Sequence, residues 1–317
     1  MIYSRIAGTG SYLPEKVLTN FDLEKMMDTS DQWIRERTGI ERRHIAADDE
    51  TTVDMAEKAV RRALDAAGCR PEDVDFIAFG TTTPDLVFPN CGVLLQARLG
   101  CRGVPAFSVE TACSGFMYAL AIADKFVRAG EARRALAIGA ETLSRITDWT
   151  DRSTAVLFAD GAGAVLLEPS EQPGILSTHL HADGAYKDLL YSGGGTDRSK
   201  PRRVISMAGS EVFKVAVSTL SKSIDEALAA NHLERSALDW LVPHQANMRI
   251  IQATARKLDM PMERVITTVQ DHGNTSAASV PLALDFGIRS GKIQRGQLML
   301  LEAFGGGFTW GSALIRY

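Results

Sequence analysis

Cysteine is scarce in this sequence, and its spacing excludes whole classes of site. The 317 residues include four cysteines, Cys69, Cys91, Cys101 and Cys113, and no two of them form a C-x-x-C pair. A disulfide scaffold is therefore excluded, and reduced thiols are expected. The same lack of clustering offers no structural zinc site, so we expect neither a bound metal nor a permanently held cofactor.

Long apolar runs and an excess of positive charge are also missing. No uncharged apolar run approaches the roughly 20 residues that span a bilayer, and residues 1–5 lack the basic and then apolar pattern of a signal peptide. The net charge of −4 leaves no basic excess to neutralise the phosphates of a duplex. The sequence predicts a cytoplasmic protein that binds neither membranes nor nucleic acids.

What the sequence does contain is an alternation of strand and helix patterns that starts again at about residue 171. Helical periodicity predicts helices at 31–38 and 51–67, and the apolar runs between the helices are typical of buried strands. At this length, two domains or a duplicated one are expected. We predict an α/β protein with two halves, 1–170 and 171–317, whose mixed sheets pack together.

The two halves show a weak internal repeat. The apolar strand that ends at Gly80 is matched by another that ends before His244, about 164 residues later. A slightly smaller offset sets Cys113 opposite Asn274. Because ligands gather at the carboxyl ends of strands in such sheets, the three polar side chains are expected to meet there.

Cys113 is the candidate nucleophile. It follows the β-branched and aromatic run that begins at Phe107, and a helical pattern extends from it to about Val127. A helix N-terminus favours an anion, so we expect this position to lower the pKa of the thiol. Free cysteines are more often small buried core residues, and the context must therefore decide.

Two other functions match parts of this residue pattern. Gly8-Thr9-Gly10 resembles the start of a dinucleotide-binding loop, but Leu13 stands where the third glycine is needed and Pro14 follows it. A papain-like peptidase also uses cysteine, histidine and asparagine in this order, but its C-G-[SA]-C-[WY] pattern is absent here. The remaining chemistry that uses this trio is carbon–carbon condensation of thioesters.

Four motifs carry a resemblance to a known family. They are Ala112–Phe116, Val242–Asn247, His272–Ser279 and Leu301–Phe308, within a likeness that runs from Gly8 to the C-terminus. Together they closely resemble the motifs of β-ketoacyl-acyl carrier protein synthase III. The resemblance implies a thiolase-like fold, a duplicated five-layered αβαβα arrangement with two mixed sheets.

The resemblance also implies a reaction. An acyl group passes from acetyl-CoA, or another short acyl-CoA, to Cys113, and decarboxylated malonyl-acyl carrier protein then attacks the acyl-enzyme in a ping-pong cycle. The products are 3-oxoacyl-acyl carrier protein, carbon dioxide and CoA, and the step initiates fatty acid biosynthesis. His244 and Asn274 would donate hydrogen bonds to the enolate oxygen, and the backbone N–H groups of Cys113 and Gly306 would form a second oxyanion hole.

The family's binding residues are carried over position by position. The CoA contacts implied in this way are Trp33, Arg37, Arg152, Gly209, Phe213 and Asn247. The implied contacts for an acidic acyl carrier protein are Gln245, Ala246, Asn247, Met248, Arg249, Lys214, Arg256 and Lys257. Phe88 matches a residue that enters the acyl pocket of the partner subunit, which implies a homodimer.

Two alternatives remain open, and one segment has no interpretation. A related CoA-primed ketosynthase of secondary metabolism would keep the same trio, whereas a non-catalytic thiolase-fold subunit would bind acyl-CoA without turnover. The Gly-rich and charged stretch 191–200 fits no pattern. The sequence does not predict which acyl group the enzyme accepts from acyl-CoA. Pocket shape decides this preference, and one methylene in a pocket changes the binding free energy by only about 1–3 kcal/mol.

Overall fold

A computed structural model of the chain describes residues 2–317. The strands are β1 (Tyr3–Tyr12), β2 (Lys16–Thr19), β3 (Arg42–Ile45), β4 (Phe76–Gly80), β5 (Ala106–Val109), β6 (Ala135–Thr142), β7 (Asp160–Ser170), β8 (Ile175–Ala182), β9 (Leu190–Ser192), β10 (Ile205–Met207), β11 (Trp240–Pro243), β12 (Leu298–Gly305) and β13 (Thr309–Arg316). The helices are α1 (Asn20–Glu24), α2 (Asp31–Thr38), α3 (Thr52–Ala67), α4 (Cys91–Leu99), α5 (Gly115–Arg128), α6 (Arg152–Ala155), α7 (Gly209–Ala230), α8 (Met248–Lys257), α9 (Val269–His272) and α10 (Ser279–Arg289).

Two mixed sheets form the framework. The first has the strand order β1-β7-β6-β4-β5, and the second has the order β11-β12-β13-β8. In each sheet a parallel pair, β4 with β6 and β11 with β12, adjoins antiparallel strands. A single bridge from Leu241 to Val265 stands in the second sheet where β5 stands in the first.

The helices complete five layers. Helix α3 covers the outer face of the first sheet, α5 and α10 lie between the sheets, and α7 covers the outer face of the second. The central helices are buried on most sides, because a sheet packs against each of their faces. The predicted αβαβα arrangement with two mixed sheets is confirmed.

The structural repeat differs in one respect from the predicted one. The 3₁₀ turns Ala112–Ser114 and Ser276–Ala278 lie at the same offset of 164 residues as Gly80 and His244. Each turn begins with a residue in the left-handed region, at φ 47° and 49°. Ala277 therefore occupies the position of Cys113, and the prediction that Asn274 is its counterpart is wrong. Asn274 lies three residues earlier, because its loop carries the amide before the turn rather than within it.

The chain crosses from the first sheet to the second between Ser170 and Ile175. This crossing lies at the predicted boundary, and the division into halves 1–170 and 171–317 stays a prediction. No helix between residues 2 and 317 is both long and apolar enough to cross a bilayer.

Candidate active site

Cys113, His244 and Asn274 meet at one cavity. The cavity has a volume of about 630 Å³, and its walls are mostly apolar. Cys113 lies in the turn after β5 of the first sheet, and His244 follows β11 of the second sheet. Tertiary packing thus brings together three residues that are up to 161 positions apart in the chain.

Cys113 lies in the 3₁₀ turn that leads from β5 into α5. Burial raises the pKa of the Cys113 thiol to about 11, and a hydrogen bond with the Ser276 side chain opposes that rise. A helix terminus contributes about 0.3–1 kcal/mol, which is less than one pKa unit, so it does not offset this burial. The expectation of a lowered thiol pKa is therefore wrong, because burial outweighs the effect of the helix start.

His244 follows β11, and its backbone N–H donates to the Glu302 carbonyl at 2.8 Å. The ring is buried, and its Nδ1 has no hydrogen-bond partner within residues 2–317. Burial lowers the pKa of His244 to about 4, because a charged imidazolium is poorly solvated there. The ring is therefore neutral near pH 7 and offers one N–H donor.

Asn274 is held by its backbone. Its N–H donates to the Leu157 carbonyl at 2.9 Å, and its carbonyl accepts from the Ala159 N–H at 2.9 Å. The side-chain Oδ1 accepts from the Ser276 N–H at 3.0 Å. Because the oxygen is engaged in this way, the Nδ2 amine is the part of the amide left to donate into the cavity.

A glycine at the end of β12 lets the second sheet approach the nucleophile. A Cβ on Gly305 would lie 2.6 Å from the Cys113 backbone nitrogen, so only glycine fits there. Thr309, at the start of β13, links the second sheet to the turn that carries Cys113, because its hydroxyl donates to the Thr111 carbonyl at 3.0 Å. Gly306 lines the cavity beside Cys113, and its role as an oxyanion donor stays a prediction.

The predicted CoA residues, except Arg152, line the cavity. The Arg37 and Arg152 guanidinium carbons lie 4.7 and 4.8 Å from the Trp33 ring centroid, an arrangement typical of cation–π contacts. Trp33 and Arg37 line the cavity together with Gly209, Phe213 and Asn247, and Arg152 lies beside the lining.

The predicted carrier-protein residues divide into exposed and buried ones. Arg249, Arg256 and Lys257 are exposed on α8, and Lys214 is exposed on the adjacent α7. Ala246 and Asn247 line the cavity, as does Arg249 at its exposed edge, and Met248 is half-buried.

Gln245 does not belong to a docking surface, and that prediction is wrong. Its side chain is buried, and its Nε2 donates to the Pro243 and Ile266 carbonyls at 2.8 and 3.0 Å. Its Oε1 accepts from the Thr268 and Val269 N–H groups at 2.8 and 3.1 Å. These four bonds use the amide to hold the loop that carries His244.

Two features of the site have no counterpart in the sequence-based prediction. The hairpin β9–β10 contributes several lining residues, namely Leu190, Tyr191, Ser192, Ile205 and Met207. Thr82 and Ser276 also line the cavity near the thiol. The glycine-rich stretch after Ser192 is the sequence signal that could have indicated this hairpin, because long loops often form or cover binding sites.

Phe88 does not line the cavity and is exposed on the surface. Its side chain is 82% exposed and the neighbouring Val87 is 95% exposed, on a loop before α4. No group of three or more histidine, cysteine or acidic side chains in residues 2–317 is arranged to hold a metal ion.

Comparisons with known proteins agree with this geometry. Family models described as 3-oxoacyl-[acyl-carrier-protein] synthase III and its C-terminal part match residues 107–184 and 228–317. A β-ketoacyl-[acyl-carrier-protein] synthase III of Xanthomonas campestris is 63% identical, over 100% of this chain and 99% of the relative.

Solved structures show the same likeness. The synthase III of Aquifex aeolicus is 49% identical with a TM-score of 0.94, covering 99% of this chain and 100% of that one. The priming β-ketosynthase of the R1128 polyketide biosynthetic pathway is 36% identical with a TM-score of 0.94, covering 99% and 96%. The fold is thus the thiolase-like one that the motifs implied, and the chain belongs to the β-ketoacyl-acyl carrier protein synthase III family.

Proposed function

We propose that this chain condenses acetyl-CoA, or another short acyl-CoA, with malonyl-acyl carrier protein through an acyl-Cys113 intermediate. As a member of its family, it is an acyltransferase that initiates fatty acid synthesis. The observation that carries the proposal is the single cavity at which Cys113, His244 and Asn274 meet. Each of the three residues takes a separate task in the two half-reactions.

In the first half-reaction the Cys113 thiolate attacks the acyl thioester and releases CoA. The tetrahedral oxyanion forms beside the start of α5, where the Cys113 backbone N–H and that of Gly306 are the proposed donors. Trp33, Arg37 and Arg152 hold the nucleotide end of CoA, since an indole face and guanidinium groups suit adenine and phosphates.

In the second half-reaction malonyl-acyl carrier protein loses carbon dioxide, and negative charge develops on its thioester oxygen. A neutral His244 ring and the Nδ2 amine of Asn274 supply two donors for that oxygen. The resulting carbanion attacks the acyl-enzyme, and the Cys113 thiolate leaves. A neutral amide suffices at position 274, because no proton is transferred there.

The carrier protein is proposed to dock on the basic surface formed by Lys214, Arg249, Arg256 and Lys257. We expect Arg249→Glu to raise the KM for malonyl-acyl carrier protein about tenfold, which corresponds to about 1.4 kcal/mol of binding. Acetylation by acetyl-CoA should stay within about twofold of the parent rate, since a rim charge acts mainly on encounter with a charged partner.

The matched control for this surface is Gln172→Glu, an acidic substitution at an exposed position between β7 and β8, outside the two helices that carry the basic residues. Steady-state kinetics with malonyl-acyl carrier protein measure the condensation half-reaction. Acetylation assays that are quenched at set times measure acyl transfer from acetyl-CoA. Equal losses in both half-reactions of the Arg249→Glu enzyme contradict the docking surface.

A homodimer is proposed from the exposed apolar loop Leu86–Val87–Phe88. The side chains of Leu86, Val87 and Phe88 are 49%, 95% and 82% exposed, respectively. An exposed apolar patch of this kind is typical of an interaction site. A second copy would cover it and receive Phe88 in its acyl pocket. Sedimentation equilibrium at near-neutral pH and physiological ionic strength should give the mass of two chains. A mass equal to that of one chain contradicts the dimer.

A CoA-primed ketosynthase of secondary metabolism is the second candidate, because the R1128 priming enzyme shares the fold at 36% identity. The 63% identity to a synthase III over the full chain favours the fatty acid enzyme. Product analysis with malonyl-acyl carrier protein against malonyl-CoA separates the two. An enzyme that ignores the carrier protein is not the initiator.

The decisive experiment is peptide mass spectrometry after incubation with acetyl-CoA alone. We expect one acetyl adduct on the Cys113 peptide and none in the Cys113→Ala protein. If no adduct forms with acetyl-CoA or with any of a panel of longer and branched acyl-CoAs, the chain is a non-catalytic binder and the proposal fails.

A further inference from the structure

The side chain of Arg43 is fully buried and has no acidic partner. It lies in β3, where its neighbour Arg42 is exposed and Arg43 points into the protein. Within residues 2–317 it forms no ion pair, and burial alone lowers its pKa, to about 9, so the group stays charged near pH 7. Burial of an unpaired charge is costly. The gain from this residue therefore lies in the groups that its guanidinium holds.

The guanidinium binds one backbone carbonyl and one buried side chain. Its Nε and Nη2 donate to the Val156 carbonyl at 3.0 and 2.5 Å, and its Nη1 donates to Oδ1 of Asn20 at 2.8 Å. Val156 begins the 156–159 segment, which joins α6 to β7 and belongs to neither. Because two nitrogens of one planar group bind the same carbonyl, they fix its direction more closely than a single donor would.

The 156–159 segment holds the backbone of Asn274. The Asn274 N–H donates to the Leu157 carbonyl, and the Ala159 N–H donates to the Asn274 carbonyl, each at 2.9 Å. Phe158 thus forms an isolated parallel bridge with Asn274. Val156 directly precedes Leu157, so the carbonyl that Arg43 binds is next in the chain to the one that binds Asn274.

Arg43 also lies against the chain on the other side of this bridge. A Cβ on Gly273, the residue before Asn274, would lie 3.3 Å from Cγ of Arg43. The φ of Gly273 is 66°, in the region that favours glycine, and the missing side chain leaves room for the arginine stem. One side chain therefore packs beside one strand of the bridge and hydrogen-bonds the other.

On the basis of the proposed function, we propose that Arg43 is a positioning residue for decarboxylation. Its guanidinium fixes the 156–159 segment, and this segment fixes Asn274, whose Nδ2 amine must point at the thioester oxygen. Arg43 is fully buried and does not line the cavity, so it acts through Asn274 rather than on the substrate. A displacement of about 1 Å in such a donor can cost about 10²-fold in rate.

Acyl transfer should be less sensitive to this arginine than decarboxylation. Cys113 is positioned by other segments, namely its own turn between β5 and α5 and the bond from the Thr309 hydroxyl to the Thr111 carbonyl. None of the hydrogen bonds of Arg43 goes to these segments. Loss of the guanidinium should therefore act mainly on the step that uses Asn274.

The test is a double-mutant cycle with Arg43→Met, which removes the guanidinium, and Asn274→Ala. We expect Arg43→Met to slow the release of carbon dioxide from labelled malonyl-acyl carrier protein by about 10–10²-fold, and to leave acetylation of Cys113 within about threefold of the parent rate. In the Asn274→Ala enzyme the same substitution should slow decarboxylation by less than about threefold, because the effects of two residues that act through each other do not add.

Arg295→Met is the matched control, because Arg295 also donates to a backbone carbonyl, that of Ile6 at 2.9 Å, but does not line the cavity. Both half-reactions of this variant should match those of the parent. If Arg43→Met does not fold, Arg43→Lys, which keeps the charge and a donor, replaces it in the cycle with the same non-additive result expected.

Two results overturn the role of Arg43. One is a pair of losses, from position 43 and from Asn274→Ala, that simply add in the double variant. The other is an equal loss of acetylation and decarboxylation in the Arg43 variant. A parent enzyme that releases no carbon dioxide from malonyl-acyl carrier protein refutes the proposed function instead, so the two failures are distinguishable.

Discussion

Replacement of His244 by alanine is expected to slow malonyl decarboxylation by about 10²–10³-fold, the usual cost of removing one donor from an oxyanion site. The ring is buried and neutral, so it acts through an N–H bond to the developing enolate rather than as a base. Asn274→Ala should have a similar effect, because Nδ2 is the second donor.

Acylation of Cys113 provides the internal control for both variants. Neither residue takes the thiol proton, so acetyl transfer from acetyl-CoA should stay within about tenfold of the parent rate. Release of carbon dioxide from labelled malonyl-acyl carrier protein measures the first effect, and intact-protein mass spectrometry measures the second. If His244→Ala abolishes acetylation, His244 is the base after all and the assigned roles are wrong.

Replacement of Gly305 by alanine is expected to reduce condensation by at least about 10²-fold through displacement of the nucleophile. The new methyl group would lie 2.6 Å from the Cys113 nitrogen and 3.1 Å from the Cys113 Cβ. Both contacts are with the turn that positions the thiol, and overpacking of this kind costs about 1–3 kcal/mol of stability. Acetylation and decarboxylation should therefore fall together.

Gly184→Ala is the matched control for Gly305→Ala. Gly184 is exposed and does not line the cavity, and a Cβ added there would meet no atom within 4 Å. Thermal unfolding separates a loss of stability from a loss of geometry, because the variant should remain folded at the assay temperature. Parent-like condensation by the Gly305→Ala enzyme would show that the approach of β12 to Cys113 is unimportant.

His244→Ala should lose decarboxylation and keep acylation, whereas Gly305→Ala should lose both half-reactions. The two variants therefore distinguish the loss of one hydrogen-bond donor from displacement of Cys113.

Local patterns were sufficient to predict several elements. The helix predicted at 31–38 is α2, Asp31–Thr38, and the one predicted at 51–67 is α3, Thr52–Ala67. Both have capping side chains, Ser30 and Thr51, at their starts, so local hydrogen bonding determines where they begin. The three candidate catalytic residues were also predicted, because four motifs in one order resemble a single family, and the structure brings them to one cavity.

Other properties depend on contacts between distant residues. The thiol pKa was predicted from the helix start alone, whereas two packed halves bury the thiol and raise its pKa. Gln245 stands within a functional motif, but its side chain bonds backbone groups up to 24 positions away. Gly305 and Cys113 are 192 positions apart in the sequence, and no local pattern indicates that they meet.

The sequence by itself determined the α/β class and the layered arrangement and predicted Cys113, His244 and Asn274 as the reacting trio, because periodicity and motif residues are local properties. The tertiary structure alone decided the direction of the Cys113 and His244 pKa shifts, the equivalence of Ala277 rather than Asn274 with Cys113, and the close approach of Gly305 to Cys113. Burial and hydrogen bonding set these properties, and both depend on which distant segments pack together.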